Sequence, residues 1–247
     1  MHYGVEVNRR IADSTLTFKG EKPEKLDAAA TPMLFSSDGV HPHVETGHRL
    51  YADVLARSLT EIQAAATAAA PHLMPEPLRA DNWEKAKLIP IEQSMLRGDW
   101  KQVTPTDDER AKAFSTRMPV LWKADKPGAE LVVAYTGTRL GVYDLLGPGG
   151  GIVAVQVDDG AAKSVPRIDG YCTYWRIGTL NTGSQPAGTH RVTLRLEASA
   201  PDKAKILFEH NRPDLERNPI KYAENVWYAS AILLLGDLDP ADAAPAK

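Results

Sequence analysis

The sequence predicts an α+β fold in two parts: a short front segment of α/β character and a β-sandwich or jelly-roll behind it. Three observations predict it. Residues 45–69 carry Leu50, Tyr51, Val54, Leu55, Leu59 and Ile62 at helical period, with Arg49, Asp53, Arg57, Thr60 and Glu61 opposite. Met33-Leu34-Phe35, shortly before, is a brief apolar run suited to the end of a buried strand. From Pro119 onward, short runs of β-branched and aromatic residues recur between glycine and aspartate turns.

Taken in order, residues 5–11 suit a short helix and residues 19–32 read as a polar loop. Pro71, Pro75 and Pro77 end the long helix. Residues 71–118 read as an ordered connector with a short helix at 107–114. Trp83 and Trp100 argue against a free linker there, because indole rings are costly to leave in water. About eight strands follow, at 130–135, 139–143, 152–157, 171–177, 190–196, 205–208 and 226–235 among others. In the run from His190, Val192, Leu194 and Leu196 face one way while Arg191, Thr193 and Arg195 face the other. Gly147-Pro-Gly-Gly-Gly151 lies between two of these runs and lacks a following helix or a Lys-Ser/Thr pair. It reads as a long hairpin loop rather than a phosphate cradle. The expected division is 1–70, 71–118 and 119–238, with 239–247, rich in Ala, Asp and Pro, as a disordered tail.

Composition removes several function classes. A net charge of −3 over 247 residues supplies no basic field for a phosphate backbone, so no nucleic-acid partner is expected. No stretch approaches the roughly 20 consecutive apolar residues of a membrane span, and no membrane partner is expected. The first ten residues show no signal peptide, and the compartment stays open. Cys172 is the only cysteine; it reads as core filler rather than as a nucleophile.

Asp38-Gly39-Val40-His41-Pro42 carries the chemistry. A catalytic histidine needs a carboxylate on one ring nitrogen, which fixes its tautomer and stabilises the imidazolium formed when it takes a proton. Asp38 and His41, three residues apart on one curved loop, can meet that need without another segment. Gly39 permits the sharp turn and Pro42 stiffens the chain after the base. Such a loop, between a strand end and a helix start, is where open α/β sheets gather ligand-binding residues.

This block, followed by Gly47-His48 and the amphipathic helix from Arg49, resembles the last conserved block of SGNH/GDSL hydrolases. The likeness covers about residues 33–65. It implies that His41 is the general base and later the general acid, that Asp38 orients it, and that the helix closes a flavodoxin-like α/β domain. It further implies a serine ester hydrolase with no metal or organic cofactor, acting on a small ester or an acylated carbohydrate. The β region is similar in character to β-sandwich modules found beside such esterase domains.

The sequence also departs from that family. No Gly-Asp-Ser tripeptide occurs; Gly98-Asp99-Trp100 and Gly236-Asp237-Leu238 share two letters but lack the serine. The family's oxyanion donors are absent too. The expectation is therefore the C-terminal remnant of an SGNH domain, inactive alone, because covalent attack and transition-state charge stabilisation are both missing. Such a remnant would need its N-terminal segment or self-associate through helix 45–69.

Other readings stand beside this one. Asp38 and His41 could merely satisfy a loop before a helix. His41, His43 and His48 could share a metal ion, although none is expected. Ser36 and Ser37 read as loop hydroxyls, since no strand–turn–helix elbow presents them. His48 reads as packed at the first helical turn. Tyr171, Tyr174, Trp175, Trp227 and Tyr228 could form a sugar-stacking face, which would suit a non-catalytic binding module.

Overall fold

The computed structural model describes residues 3–67, 71, 73–79 and 82–239. The residues of the expected tail beyond 239 lie outside these. The chain divides into two compact units, Met1–Glu76 and Pro77–Lys247.

In the first unit, helix α1 (Tyr3–Ala12) leads into strand β1 (Leu16–Lys19), which the sequence reading placed partly in a loop. Strand β2 (Met33–Ser36) pairs with β1 in parallel, Leu16 opposite Met33 and Lys19 opposite Ser36. A π turn, Val44–His48, then runs into helix α2 (Arg49–Ala65). Val7, Leu16, Met33, Phe35, Leu50 and Val54 form the core. Only the first turns of α2 bury their apolar stripe. Tyr51, Leu55, Leu59 and Ile62 remain 46–64% exposed, as does much of Phe18 on β1. Parallel sheets ordinarily have both faces covered and extend beyond two strands.

The second unit is a curled antiparallel sheet. Its strands are β3 (Lys87–Pro90), β4 (Leu96–Arg97), β5 (Lys101–Val103), β6 (Leu121–Ala124), β7 (Glu130–Leu146), β8 (Ile152–Val157), β9 (Lys163–Pro166), β10 (Arg176–Leu196) and β11 (Trp227–Leu238). The order is β5-β6-β11-β7-β10-β8-β9, with β3 added on β11 and β4 on β7. Along one edge β11 pairs first with β6 and then with β3, which lets the sheet curl into a sandwich-like layer. Val192, Leu194 and Leu196 alternate into the core as their spacing predicts.

Several expectations change here. Residues 87–103, expected within the connector, supply three strands, and Ile91, Met95 and Leu96 join the main core. Trp100 packs edge-on against Trp227 at 5.2 Å. The short helix is present as α3 (Glu109–Phe114), capped by Asp108, which accepts from the Arg110 and Ala111 amides. Residues 205–208 are not a strand. Asp202 accepts from the Lys205 amide and starts a helical turn, α4 (Lys203–Ile206), ahead of α5 (Arg212–Arg217). The 147–151 segment is not a hairpin loop either, because β10 lies between β7 and β8. Glycine is required within it: a Cβ on Gly147 would lie 2.2 Å from the Trp175 ring, and one on Gly150 would lie 2.0 Å from the Arg167 carbonyl.

One buried ion pair is knit into this unit. Arg167 donates to Asp144 at 2.7 Å, and the Trp227 indole donates to the other Asp144 oxygen at 3.1 Å. Burial pushes Asp144 up to about 6, against the opposing pull of Arg167. Cys172 is fully buried, and burial raises its thiol, as suits a core filler. Among the described residues, no helix is long and apolar enough to cross a membrane.

Candidate active site

The loop after β2 is organised by one carboxylate. Asp38 Oδ1 accepts from the Val40 and His41 amides, both at 2.8 Å, and from the Ser36 hydroxyl at 2.9 Å. This closes a tight turn in which Gly39 adopts φ +82°, a left-handed conformation that suits glycine. Ser36 is fully buried, and its hydroxyl accepts in return from the Gly39 amide at 2.9 Å. One Asp38 oxygen is thus committed to the backbone. The other, Oδ2, lies 2.7 Å from His41 Nδ1.

That geometry fixes the proton on the ring. The hydrogen bond from His41, together with the amide and hydroxyl donors, holds the Asp38 carboxyl well below the usual carboxylate range. An ionised carboxylate only accepts, so Nδ1 carries the hydrogen and Nε2 of the neutral ring keeps its lone pair. Nε2 makes no hydrogen bond to any described residue, and the His41 side chain is 84% exposed. It opens onto a shallow recess of about 340 Å³ lined by Lys22, Ser37, His43 and Glu45 among others. The arrangement can accept a proton from a group presented at Nε2 and return it.

The segment after the loop is fixed by packing. Thr46 is buried and donates to the Leu34 carbonyl at 2.6 Å, tying the helix start to β2. A Cβ on Gly47 would fall 2.5 Å from that of Pro42 and 3.0 Å from the Phe35 carbonyl. Pro42 and Gly47 therefore belong together sterically, which explains why the block carries both.

The neighbouring candidates fall elsewhere. Ser37 Oγ lies 3.0 Å from His43 Nε2, Ser36 is tied to Asp38 and the turn, and neither serine bonds His41. His48 is exposed, not packed at the first turn. Among the described residues, no three His, Cys, Asp or Glu side chains converge on one point. Of the five aromatics considered for sugar stacking, Trp227 and Tyr228 are fully buried and Trp175 is half-buried. Tyr171 and Tyr174 are exposed.

Sequence spacing missed a second acid–imidazole pair. Asp158 Oδ2 lies 2.8 Å from His190 Nδ1, and Asp158 Oδ1 accepts from the Arg191 amide at 2.8 Å. His190 Nε2 is taken up by the Pro186 carbonyl at 2.8 Å. The partners are too far apart in sequence to show a motif.

No family model and no curated protein sequence matches this chain. Among solved structures it is similar to a two-domain esterase (CEX) active on acetylated mannans. That match has a TM-score of 0.53 at 16% identity and covers 80% of this chain and 48% of the other. The CEX esterase co-crystallized with mannopentaose gives a TM-score of 0.50 at 17% identity, covering 81% and 48%. A family two carbohydrate esterase from Cellvibrio japonicus aligns with a TM-score of 0.39 at 13% identity, over 62% of this chain and 34% of that one. These structural neighbours are carbohydrate esterases, and what the chain shares with CEX at such identities is the fold. The chain spans less than half the length of each of the three.

Proposed function

We propose that Asp38 and His41 are the acid–base part of an SGNH/GDSL-type ester-hydrolase site acting on an acylated carbohydrate. Residues 1–70 would form the C-terminal part of its flavodoxin-like α/β domain, and the serine nucleophile and oxyanion donors would lie outside these 247 residues. One observation carries the reading: Asp38 Oδ2 sits 2.7 Å from His41 Nδ1 while the exposed His41 side chain lines an open recess. The uncovered face of the first unit supports it. A two-stranded parallel sheet and the exposed stripe Tyr51, Leu55, Leu59 and Ile62 fit a layer that continues into further strands and helices. The shared fold with an esterase active on acetylated mannans supports the substrate class.

In this reading the serine hydroxyl attacks the acyl carbonyl while His41 Nε2 takes its proton. The same proton passes to the departing sugar oxygen as the ester bond breaks. Water then repeats the sequence on the acyl-enzyme, releasing the acid and restoring the serine. Asp38 stays ionised and holds the imidazolium.

Acetate release from acetylated mannan tests this. The chain alone is expected to give no release above buffer. Joined to upstream coding sequence bearing a Gly-Asp-Ser block, it is expected to turn over, and His41→Ala should lower that rate by about a thousandfold or more. Hydrolysis by the chain alone that survives His41→Ala would overturn the assignment.

A further inference from the structure

The second unit carries two adjoining recesses of about 830 and 280 Å³, where β3, β7, β10 and β11 run side by side. Both are lined by Trp83, Lys87, Arg139 and Leu235. Trp83 is 62% exposed, although an indole of this size is ordinarily buried. The Arg139 guanidinium lies 5.1 Å from its ring centroid, which orients the ring at the recess wall. Lys87 and Asp237 form an ion pair on the wall, and Asn181 and Ser184 add neutral polar groups.

A second observation falls at the same place. The register of β11 on β7 breaks between Leu235 and Gly236, and that of β10 on β7 breaks between Asn181 and Ser184. The β7 and β11 backbones also approach unusually closely. A Cβ on Gly137 would lie 2.3 Å from the Leu235 carbonyl, and one on Gly236 would lie 2.3 Å from the Thr136 carbonyl. Breaks of this kind give up ladder hydrogen bonds and redirect side chains, and they concentrate beside binding sites. Here two of them flank the recess.

We propose that this recess is a saccharide-binding site for a neutral oligosaccharide. The Trp83 indole stacks on the apolar face of a sugar ring, while Arg139, Asn181 and the Lys87–Asp237 pair bond its hydroxyls. The lining mixes Lys85, Lys87 and Arg139 with Glu84 and Asp237, so neither sign dominates and a polyanion is disfavoured. The larger volume lies within the range of small-molecule sites and accommodates more than one ring. The site lies wholly within the second unit and does not rest on the hydrolase reading.

Isothermal titration of the full chain with mannopentaose, and separately with cellopentaose, tests this, with ligand raised to about 10 mM. Saturable binding of at least one is expected. Trp83→Ala should weaken it about tenfold or more, and Trp83→Phe should recover most of the loss. A Tyr171→Ala, Tyr174→Ala double variant should leave it unchanged. Binding of neither pentasaccharide, binding that survives Trp83→Ala, or binding lost only in the tyrosine variant would each overturn the proposal. Because Trp83 is exposed, its variants should keep the wild-type circular dichroism spectrum, which separates lost binding from lost fold. The assay reads binding alone, so its outcome is distinct from that of the acetate-release test.

Discussion

Asp38–His41 and Asp158–His190 are built on the same plan and face different fates. In each, one carboxylate oxygen accepts a backbone amide at 2.8 Å while the other meets His Nδ1 at 2.7 or 2.8 Å. The second ring nitrogen separates them. His41 Nε2 makes no hydrogen bond to a described residue and its side chain is 84% exposed, whereas His190 Nε2 is bonded to the Pro186 carbonyl, and the His190 side chain is only 10% exposed. A carboxylate on one nitrogen prepares a base; an acceptor on both consumes it. His190 is therefore a clasp holding β10 to the turn at Asp158, while His41 keeps a lone pair that the proposed hydrolase would use.

The largest effect that can break this comparison is on turnover. If the proposed hydrolase is formed by joining the chain to a segment bearing a Gly-Asp-Ser block, Asp38→Asn should lower kcat by about 10³–10⁴-fold, because an amide no longer enforces the Nδ1–H tautomer. Asp158→Asn should leave kcat within about twofold of wild type, since no reacting group depends on it. Equal losses in both variants would mean that Asp38 contributes fold stability rather than tautomer control.

A smaller, site-resolved effect follows on ring reactivity. Diethyl pyrocarbonate attacks an unprotonated imidazole nitrogen, so modification is followed at each histidine by peptide mass spectrometry. His41 should react at least about tenfold faster than His190, whose two nitrogens both face acceptors and whose bonds favour the protonated ring. Comparable rates would remove the distinction drawn between the pairs.

The sequence made the first pair legible and hid the second for the same physical reason. Asp38 and His41 are three residues apart on one turn, so local geometry alone brings them together, and Gly39 and Pro42 mark the turn. Asp158 and His190 meet only because β8 and β10 pair, Val157 opposite Val192, and no local pattern encodes that register. Long-range pairing also explains the strands that were misread. Gly137 and the stretch from Gly183 to Gly188 interrupt the β pattern, yet β7 and β10 run unbroken because each steadies the other across the register shifts. Lys205 to Phe208 looked strand-like by composition, and the decisive signal was Asp202, a helix cap three residues earlier. Trp83 was expected to order its segment by burial. It stands exposed at a recess that exists only once β3, β7 and β11 are side by side.

The smallest expected effect concerns pH and sharpens the role of His190. Its bond to Asp158, then its bond to the Pro186 carbonyl, raise its pKa above the ordinary histidine value, because both acceptors favour the doubly protonated ring. A group whose folded pKa is raised stabilises the fold fully below the unfolded value. That contribution disappears as pH rises through the raised folded value. Wild-type protein should therefore lose a small part of its thermal stability as the pH rises from below the ordinary histidine value to mildly alkaline conditions. His190→Gln, which cannot titrate, should lose less over the same interval. Nuclear magnetic resonance should place the His190 midpoint above 6.5, the ordinary value, and Asp158→Asn should bring it down. A midpoint at or below the ordinary value would mean that Nε2 is an open nitrogen after all, and the contrast between clasp and base would fail at its structural root.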